Sequence, residues 1–578
     1  MTLLFTTSLP AARQLHRPLF PPLPFPRLLS LLALTAALQG CGGETPSAST
    51  APTRFDEGVT QAVCPNAELA AYTTVVHVAT SGTDSDSCGD KPASACASIA
   101  KGIARCAVAG CAVLVQHGLY PTAASITLRD AVNVHGSCRF GDEPERHYRT
   151  VVAAAPAPGT PAVDASGINS ATALSGLVVL GKNETAAGEA SIAMRVSASK
   201  GLAMTAVTLV SGRGGDGTSG VSRNGGPGGN GGAADGFALG GQACPSGQPV
   251  VGGNGGAGSS FSNFAFDRPG CFFDCVCTAL PSSSTPDTMA GQASGQARGG
   301  SGGAAGLFGG ACSGRGSRGP APTDGAVGAA GELGSCSNLG GKADNQSLGR
   351  FVAGRWLAGR GGQGGAGSAG SGGGGGGAGG YSMFIRGIGD FLTYSGFPGG
   401  GGGGGGCGAP ESTGGQQGGA SIPLVMVNAS IAGLGTDVSL VPGPGGAGGS
   451  AAGGGSGGPG GAGGDPYQGT RISWAIEGQN VYMPGAGASG GAGGAGGAGA
   501  GAAGGNGGPS FGIALIGNSP DPGHGAIYPG MPGAAGRRGV GAANPAIANN
   551  LNSGCRSADG EDGLPATTAP VMRFEEQS

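Results

Sequence analysis

Three aspartates stand close together in the segment GTDSDSCGD, about eighty residues into the chain. Asp84, Asp86 and Asp90 could bring several carboxylate oxygens to one point, and such oxygens are the ligands that calcium prefers. The alternative is that each carboxylate caps a turn by accepting hydrogen bonds from nearby backbone N–H groups. We expect the second arrangement, and we therefore predict no bound metal and no cofactor.

Three histidines offer a second possible metal site. His77, His117 and His135 lie at or near the ends of apolar runs. If these runs stack as successive coils, the imidazoles could align in a ladder that is either structural or metal-binding. We expect a structural ladder.

The cysteines favour disulfide bonds over zinc. The motif CFFDCVC has neither a fourth ligand nor the paired C-x-x-C spacing of a zinc site. The chain has 15 cysteines. Without Cys41, which is considered below, fourteen remain, and an oxidising compartment would allow up to seven disulfides among them. The candidates are Cys88, Cys96, Cys106, Cys111, Cys271, Cys275 and Cys277. Cys88 is close to Cys96 and Cys106 is close to Cys111, but the sequence leaves the pairing open.

The composition excludes some partners. The chain has 578 residues, of which 133 are glycine, and only 11% are charged. Its net charge is −3, so it lacks the clustered cations that bind nucleic acid phosphates. We predict no nucleic acid partner.

The first forty residues resemble an export signal. Three arginines precede an apolar run over 28–38 that is too short to span a bilayer. The sequence LQGC that follows resembles the lipobox of bacterial lipoproteins, which implies cleavage before Cys41 and diacylation of its thiol. Gly42 favours the outer membrane. The alternative is an ordinary secreted protein in which this cysteine occurs by chance.

Short β-branched runs separated by Gly, Asp and Ser turns begin at Thr73 and predict strands. Between two of them, Ile99, Ile103 and Ala107 are spaced by four and predict one short helix. This order resembles the N-terminal segment of bacterial pectin-lyase-like β-helix proteins. The matching residues are Val76, Val78, Gly82, Asp84, Pro92, Ser98, Ile99, Val113, Val115, Gly118 and Tyr120.

The resemblance implies a right-handed parallel β-helix, a fold that often carries glycan lyases or hydrolases. The Gly523–His524–Gly525 triplet is similar to one polygalacturonase motif. However, no paired aspartates precede it, no R-I-K follows it, and no phosphate loop of the type G-x-x-x-x-G-K-[ST] exists in the chain. We therefore predict no catalytic residues and no enzyme activity.

Glycine tracts interrupt the strands after Ser211, and in many of them every third residue is not glycine. In GGAGGAGGAG these residues are Ala492, Ala495 and Ala498. Period three is the repeat of the polyproline-II helix, which forms no internal hydrogen bonds. Bare glycine edges would let neighbouring tracts bond laterally, and the pattern resembles polyglycine-II bundles of some antifreeze proteins and phage adhesin tips. The alternative is disorder, because glycine loses the most entropy on ordering.

The sequence as a whole predicts an all-β protein, a right-handed parallel β-helix with long glycine-rich excursions that pack as polyglycine-II bundles. Its parts are a lipoprotein signal peptide (1–40), a flexible tether (41–72), capped coils (73–211), a glycine-rich region with interspersed coils (212–540) and a polar tail (541–578).

The predicted function is that of a cell-envelope surface lipoprotein with a structural, adhesive or matrix-interaction role. It would reach the membrane through the lipid on Cys41, and its partners would be surface glycans or envelope proteins. The alternative is a degenerate glycan-active lyase or hydrolase on the same scaffold.

Overall fold

We describe the fold from a computed structural model. The described residues are 72–140, 149–233, 241–244, 249–251, 300–305, 309–312, 322–343, 349–380, 382–387, 390–394, 396–467, 475–476, 479–480, 483–523, 525–544 and 555–575. The chain divides into two units, Met1–Gly58 and Val59–Ser578, and all described residues belong to the second.

Three parallel six-stranded sheets form the framework of the described region. Sheet A contains, in spatial order, β1 (Thr74–Val78), β2 (Cys111–Gln116), β5 (Val132–Cys138), β8 (Thr172–Ser175), β11 (Leu202–Thr205) and β21 (Gly433–Leu434). Sheet B contains β3 (Gly118–Thr122), β6 (Thr150–Ala154), β9 (Leu177–Leu180), β12 (Thr208–Val210), β22 (Ser439–Val441) and β26 (Ala526–Ile527). Sheet C contains β4 (Ile126–Thr127), β7 (Val163–Ser166), β10 (Ser191–Ser197), β20 (Ser421–Val427), β25 (Ser510–Ile516) and β27 (Thr568–Phe574).

The remaining elements are small. One helix, α1 (Ile99–Arg105), follows a 3-10 turn at Pro92–Ser94, and Ser98 caps it by accepting the Lys101 N–H at 3.1 Å. Antiparallel pairs are formed by β13 (Gly241–Ala243) with β14 (Pro249–Val251), β16 (Arg350–Val352) with β17 (Arg355–Leu357), and β23 (Ala475–Ile476) with β24 (Gln479–Asn480). The last sheet contains β15 (Gly309–Cys312), β18 (Ser382–Gly387) and β19 (Asp390–Tyr394).

From β3 to β12 the chain visits sheets B, C and A in turn, so that each strand lies beside the strand one circuit earlier. Val178 of β9 pairs with Thr208 of β12, thirty residues further along the chain. The prediction of an all-β protein is confirmed, since parallel sheets dominate and helix is scarce. The short helix predicted from Ile99 and Ile103 is also confirmed.

The core lies between the three sheets. Side chains alternate along β2, where Val113 and Val115 are fully buried in the core and Leu114 belongs to a separate apolar cluster with Cys138. The stacked strands thereby bury columns of aliphatic residues, which is the arrangement that period-two patterns favour.

Nine segments of the described chain belong to no helix or sheet strand and hydrogen-bond to one another. They are tract 1 (211–233), tract 2 (300–305), tract 3 (322–343), tract 4 (359–380), tract 5 (396–420), tract 6 (442–467), tract 7 (483–509), tract 8 (528–544) and tract 9 (555–567). We call these nine segments the array.

Tract 7 lies at the centre of the array. Its N–H groups donate in three directions, to tracts 4, 6 and 9, as shown by Gly491 to Gly374 (2.8 Å), Gly493 to Gly461 (2.8 Å) and Gly504 to Glu561 (2.9 Å). Its carbonyls accept from tracts 3, 5 and 8, as shown by Gly331 to Ala492 (2.9 Å), Gly403 to Gly491 (2.9 Å) and Gly536 to Gly505 (2.8 Å). Tract 7 therefore has six bonded neighbours.

These six neighbours bond to one another in a closed ring of tracts 3, 4, 5, 6, 8 and 9. The bonds that close it include Gly374 to Ala329, Gly373 to Gly403, Gly461 to Gly404, Gly448 to Ala534, Gly560 to Gly539 and Ala558 to Ser337. Tract 1 adds to the outside of tracts 5 and 6, and tract 2 adds to the outside of tracts 3 and 4. Because bonds run between tracts, backbone groups are satisfied without helix or sheet.

The array continues the register of the sheets. Tracts 1, 6 and 8 follow strands of sheet B, and tracts 5, 7 and 9 precede strands of sheet C. Ser421 of β20 pairs with Ser510 of β25, and upstream the Gly418 N–H still donates to Asn506 at 3.0 Å. The spacing of the strands thus sets the spacing of the tracts.

Close packing explains why the tracts are glycine. A Cβ built on Gly493 would lie 2.0 Å from the Gly404 carbonyl oxygen, and one on Gly505 would lie 2.1 Å from that of Gln416. Only glycine permits this approach without moving a neighbouring backbone.

Two segments differ from the sequence expectation. The sequence predicts interspersed coils over 212–540, but in the apolar segment 471–483 the strands β23 and β24 pair antiparallel with each other and join none of the three parallel sheets. Residues 541–578 look like a polar tail, yet tract 9 bonds to the array and β27 pairs with β25.

Candidate functional site

The three aspartates of the GTDSDSCGD segment have separate partners around α1. Asp84 accepts from the N–H groups of Ala97 (2.8 Å) and Ser98 (3.0 Å) and from the Ser98 hydroxyl (2.7 Å). Asp86 pairs with Lys101 at 2.9 Å, and Asp90 pairs with Arg105 at 3.3 Å. The three carboxylates therefore bind the GTDSDSCGD segment to α1 and to its N-cap, Ser98.

Electrostatics agree with this role. Burial raises the pKa of Asp84, but the hydrogen bonds from Ser98 and Ala97 and the charge of Lys101 outweigh it, so the pKa lies below its usual value. The hydrogen bond and the charge of Lys101 lower the pKa of Asp86. Asp84, Cys88 and Cys96 place potential ligand atoms within 4.8 Å of one another, but the two sulfurs are bonded to each other.

The histidine column is interrupted by a leucine. His77 pairs in register with Leu114, and Leu114 pairs with His135. His77 Nδ1 lies 3.0 Å from the Gly89 carbonyl oxygen, while His135 contacts the Ser175 hydroxyl at 2.7 Å and the Tyr72 hydroxyl at 2.9 Å. These two imidazoles therefore bond to separate protein groups.

A ladder of serines marks the corner where the array leaves the sheets. Ser191, Ser421 and Ser510 stand at the first positions of neighbouring strands in sheet C and are paired in register. All three are buried. Their hydroxyls donate to carbonyls of the segments that leave sheet B, at Lys182 (2.6 Å), Gly212 (2.7 Å) and Gly443 (2.8 Å). The repeated triplet Ala-Ser-Ile at 190–192 and 420–422 is the sequence signal for this ladder.

A cluster of ion pairs lies beside this corner, on the outer side of sheet C. Arg195 donates to both carboxylate oxygens of Asp164, at 3.2 and 2.8 Å, from the neighbouring strand. Sequence reasoning missed this pair, although its separation of 31 residues is close to one circuit of the chain.

Two glutamates of the loop before β10 extend the ionic cluster. Glu189 pairs with Arg355 of the β16–β17 hairpin at 2.5 Å. The Glu184 side chain is only 1% exposed; one oxygen accepts the Gly159 N–H at 3.2 Å and the other lies 3.5 Å from the Lys182 ammonium. Each carboxylate has a cation beside it, as a buried charge requires.

The β16–β17 hairpin covers an apolar patch of sheet C. Phe351 and Trp356 are 1% and 3% exposed, and their ring centroids are 5.4 Å apart. Both rings also contact Phe574 of β27, at 5.0 and 6.2 Å, and Phe511 of β25 contacts Phe574 at 5.7 Å. The hairpin between tracts 3 and 4 therefore ties the array to the sheets.

Disulfide bonds occur near α1 and in the array, so the prediction that the chain contains them is confirmed. Near α1, Cys88 bonds to Cys96 and Cys106 to Cys111. Two more lock the array, Cys244 to Cys407 and Cys336 to Cys555, across 163 and 219 residues. The predicted residues Cys41, Cys271, Cys275, Cys277 and His524 lie outside the described residues.

No protein-family model, no curated protein and no solved structure matches this chain. In the part of the chain that the structure describes, no helix has the length and apolar composition needed to cross a membrane. The features available for a functional argument are therefore the array, the serine ladder and the ionic cluster.

Proposed function

We propose that the protein is a structural and adhesive surface element of the bacterial cell envelope, anchored by lipid on Cys41. In this proposal a right-handed parallel β-helix is the spine, and the array is a polyglycine-II bundle mounted on it. The partners would be surface glycans or envelope proteins.

The β-helix is supported by the order in which the chain visits the three sheets and by the thirty-residue spacing of β9 and β12. The polyglycine-II interpretation is supported by the three directions in which tract 7 donates hydrogen bonds. A threefold helix with three residues per turn presents its N–H groups in three directions. It can therefore have six bonded neighbours, as tract 7 has.

The observation that carries the proposal is this ring of bonds, held in register by the sheets. A bundle bonded in two dimensions loses little further entropy when it meets another surface, since its backbone is already ordered. Its non-glycine residues repeat every third position and would form regular rows. Pro227 of tract 1 and Pro459 of tract 6 are two such exposed residues on neighbouring tracts.

The proposal is tested by incubating the purified mature chain with a panel of polysaccharides and with isolated cell envelopes. We expect binding without turnover, both with and without calcium. Release of shorter glycan products would refute the structural role. Lipidation is tested separately, with radiolabelled palmitate and with globomycin: Cys41→Ser should lose the label, and a precursor that fails to accumulate under globomycin would refute processing at Cys41.

A glycan-active enzyme is the second candidate, and one observation favours it. Glu184, Glu189 and Arg355 converge beside a turn at Gly159, and glycan-cleaving enzymes use paired carboxylates. If the panel shows turnover, Glu184→Gln and Glu189→Gln should abolish it, whereas Asp86→Asn, on the distant helix turn, should leave it unchanged. Turnover that survives both glutamine variants would exclude this cluster.

A further inference from the structure

Among the described residues, the outer face of tracts 1 and 6 carries side chains where a further tract could bond. Inside the array, N–H groups donate to carbonyls of the next tract. On this face, the N–H groups of Ala447, Ser456 and Ala462 donate instead to side-chain oxygens of tract 1. Their acceptors are Asp216 (2.7 Å), Asn224 (3.0 Å) and Asn230 (3.0 Å).

Along tract 3, equivalent N–H groups donate either to carbonyls of a neighbouring tract or to side-chain oxygens. Its N–H groups at Ala326 and Ala329 donate to carbonyls of tract 2, both at 2.8 Å. Three and six residues further along, the N–H groups of Glu332 and Ser335 donate to serine hydroxyls of tract 4. These hydroxyls belong to Ser371 (2.8 Å) and Ser368 (2.7 Å). Along one series of N–H groups, the acceptor therefore changes from the carbonyls of a neighbouring tract to side-chain hydroxyls.

The same chemistry recurs elsewhere in the array. Asp324 caps the Ala486 N–H at 2.7 Å, Asp562 caps Arg538 at 2.8 Å, and Asp559 caps Gly541 at 2.9 Å. Asparagine and aspartate suit this task because a short side chain can bond to backbone nearby. An array edge without such caps would present free N–H groups every third residue, as an exposed sheet edge does.

We propose that Asp216, Asn224 and Asn230 are edge caps that prevent a second copy of this chain from adding to the face of tracts 1 and 6. The partner is another copy because each copy carries tracts with the same glycine repeat, whose carbonyls accept N–H groups from neighbouring tracts. Such an addition would satisfy the N–H groups that the three side chains now occupy. The inference depends on the array, but not on the lipid anchor or on what the surface binds.

The test uses the full mature chain with the substitutions Asp216→Ala, Asn224→Ala and Asn230→Ala together. The matched control is Ser219→Ala with Ser222→Ala. These serines are exposed residues of the same tract, and their hydroxyls cap no N–H group within the described residues. Sedimentation velocity over a concentration series measures association, and hydrogen exchange follows the three amides.

At low concentration we expect the amides of Ala447, Ser456 and Ala462 to exchange at least ten times faster in the triple variant than in the wild type or the control. At high concentration the average mass of the triple variant should rise above that of the wild type and the control, and the three amides should again be protected from exchange. If the three amides of the triple variant exchange faster but the variant does not associate, the side chains do not block addition of a second copy. If the amides exchange at the wild-type rate, the side chains do not cap them. Protection of β10 and β20 shows whether the variant has folded, and Asn224→Ala alone, which should expose only Ser456, gives a milder variant if it has not.

Discussion

The substitution Gly493→Ala tests directly whether tract 7 is packed as described. The added Cβ would lie 2.0 Å from the carbonyl oxygen of Gly404 and 2.5 Å from its carbon. Tract 5 would have to move by roughly 1.4 Å to restore an ordinary contact. This shift would stretch the flanking bonds from Gly403 to Gly491 and from Gly406 to Gly494, now 2.9 and 2.8 Å, beyond the limit of hydrogen bonding.

The expected cost combines overpacking, about 1–3 kcal/mol, with two weakened buried hydrogen bonds, about 1 kcal/mol each. We therefore expect a loss of about 3–5 kcal/mol in the local opening free energy of the array, measured by hydrogen exchange of tracts 5 and 7. The matched control is Gly499→Ala, six residues along the same tract, where the nearest atom to the added Cβ is 3.2 Å away. Its cost should be under about 1 kcal/mol. Equal costs for the two variants would refute the packing argument.

Three further outcomes are expected. Trp356→Ala should lower the stability of the hairpin and of β27 by about 3–5 kcal/mol, whereas Leu357→Ala, on a side chain with 43% exposure, should cost under about 1 kcal/mol, as judged by thermal unfolding and hydrogen exchange. Replacing Cys336 and Cys555 with alanine should remove up to about 5 kcal/mol from the ordering of tract 9, and undiminished protection there would contradict this. Hydrogen bonds keep the folded pKa of Asp84 below its unfolded value. Its contribution to stability is therefore complete above the unfolded pKa of 3.8 and is lost as pH falls through the folded pKa. Asp84→Asn should flatten the dependence of the melting temperature on pH below the unfolded pKa, and an unchanged acid dependence would contradict this.

Local patterns in the sequence predicted much of the framework. The strand at Val113–Val115 and the helix over Ile99–Arg105 follow from hydrophobic periodicity, which depends only on neighbouring residues. The triplet pattern of tract 7 likewise led us to expect lateral bonding, because glycine edges allow close approach.

The neighbours of each tract could not be predicted from the sequence, because the glycine edges of different tracts are nearly identical and do not distinguish one neighbour from another. The neighbours are set by the sheets, through contacts such as Ser211 with Ser421, which are 210 residues apart. The ionic cluster was missed for a similar reason. Glu189 meets Arg355 across 166 residues, and no local spacing records that contact.

The contacts of Asp84, by contrast, are local in sequence and could be predicted. Asp84 was singled out as a possible calcium ligand, and its turn-capping alternative is the arrangement observed, because Ser98 and Ala97 lie within hydrogen-bonding reach. Capping side chains such as Asn224 are recognisable in retrospect as polar residues at the third position of a glycine repeat.

Hydrogen exchange of the wild-type chain, resolved to single tracts, tests the central claim most directly. If tract 7 bonds to six neighbours, the amides of Gly493 and Gly505 should exchange at least about 10³-fold more slowly than in a free peptide, corresponding to an opening free energy of about 4 kcal/mol. Their protection should approach that of β20 and β25. Exchange of these amides at the free-peptide rate, while the strands remain protected, would contradict the account.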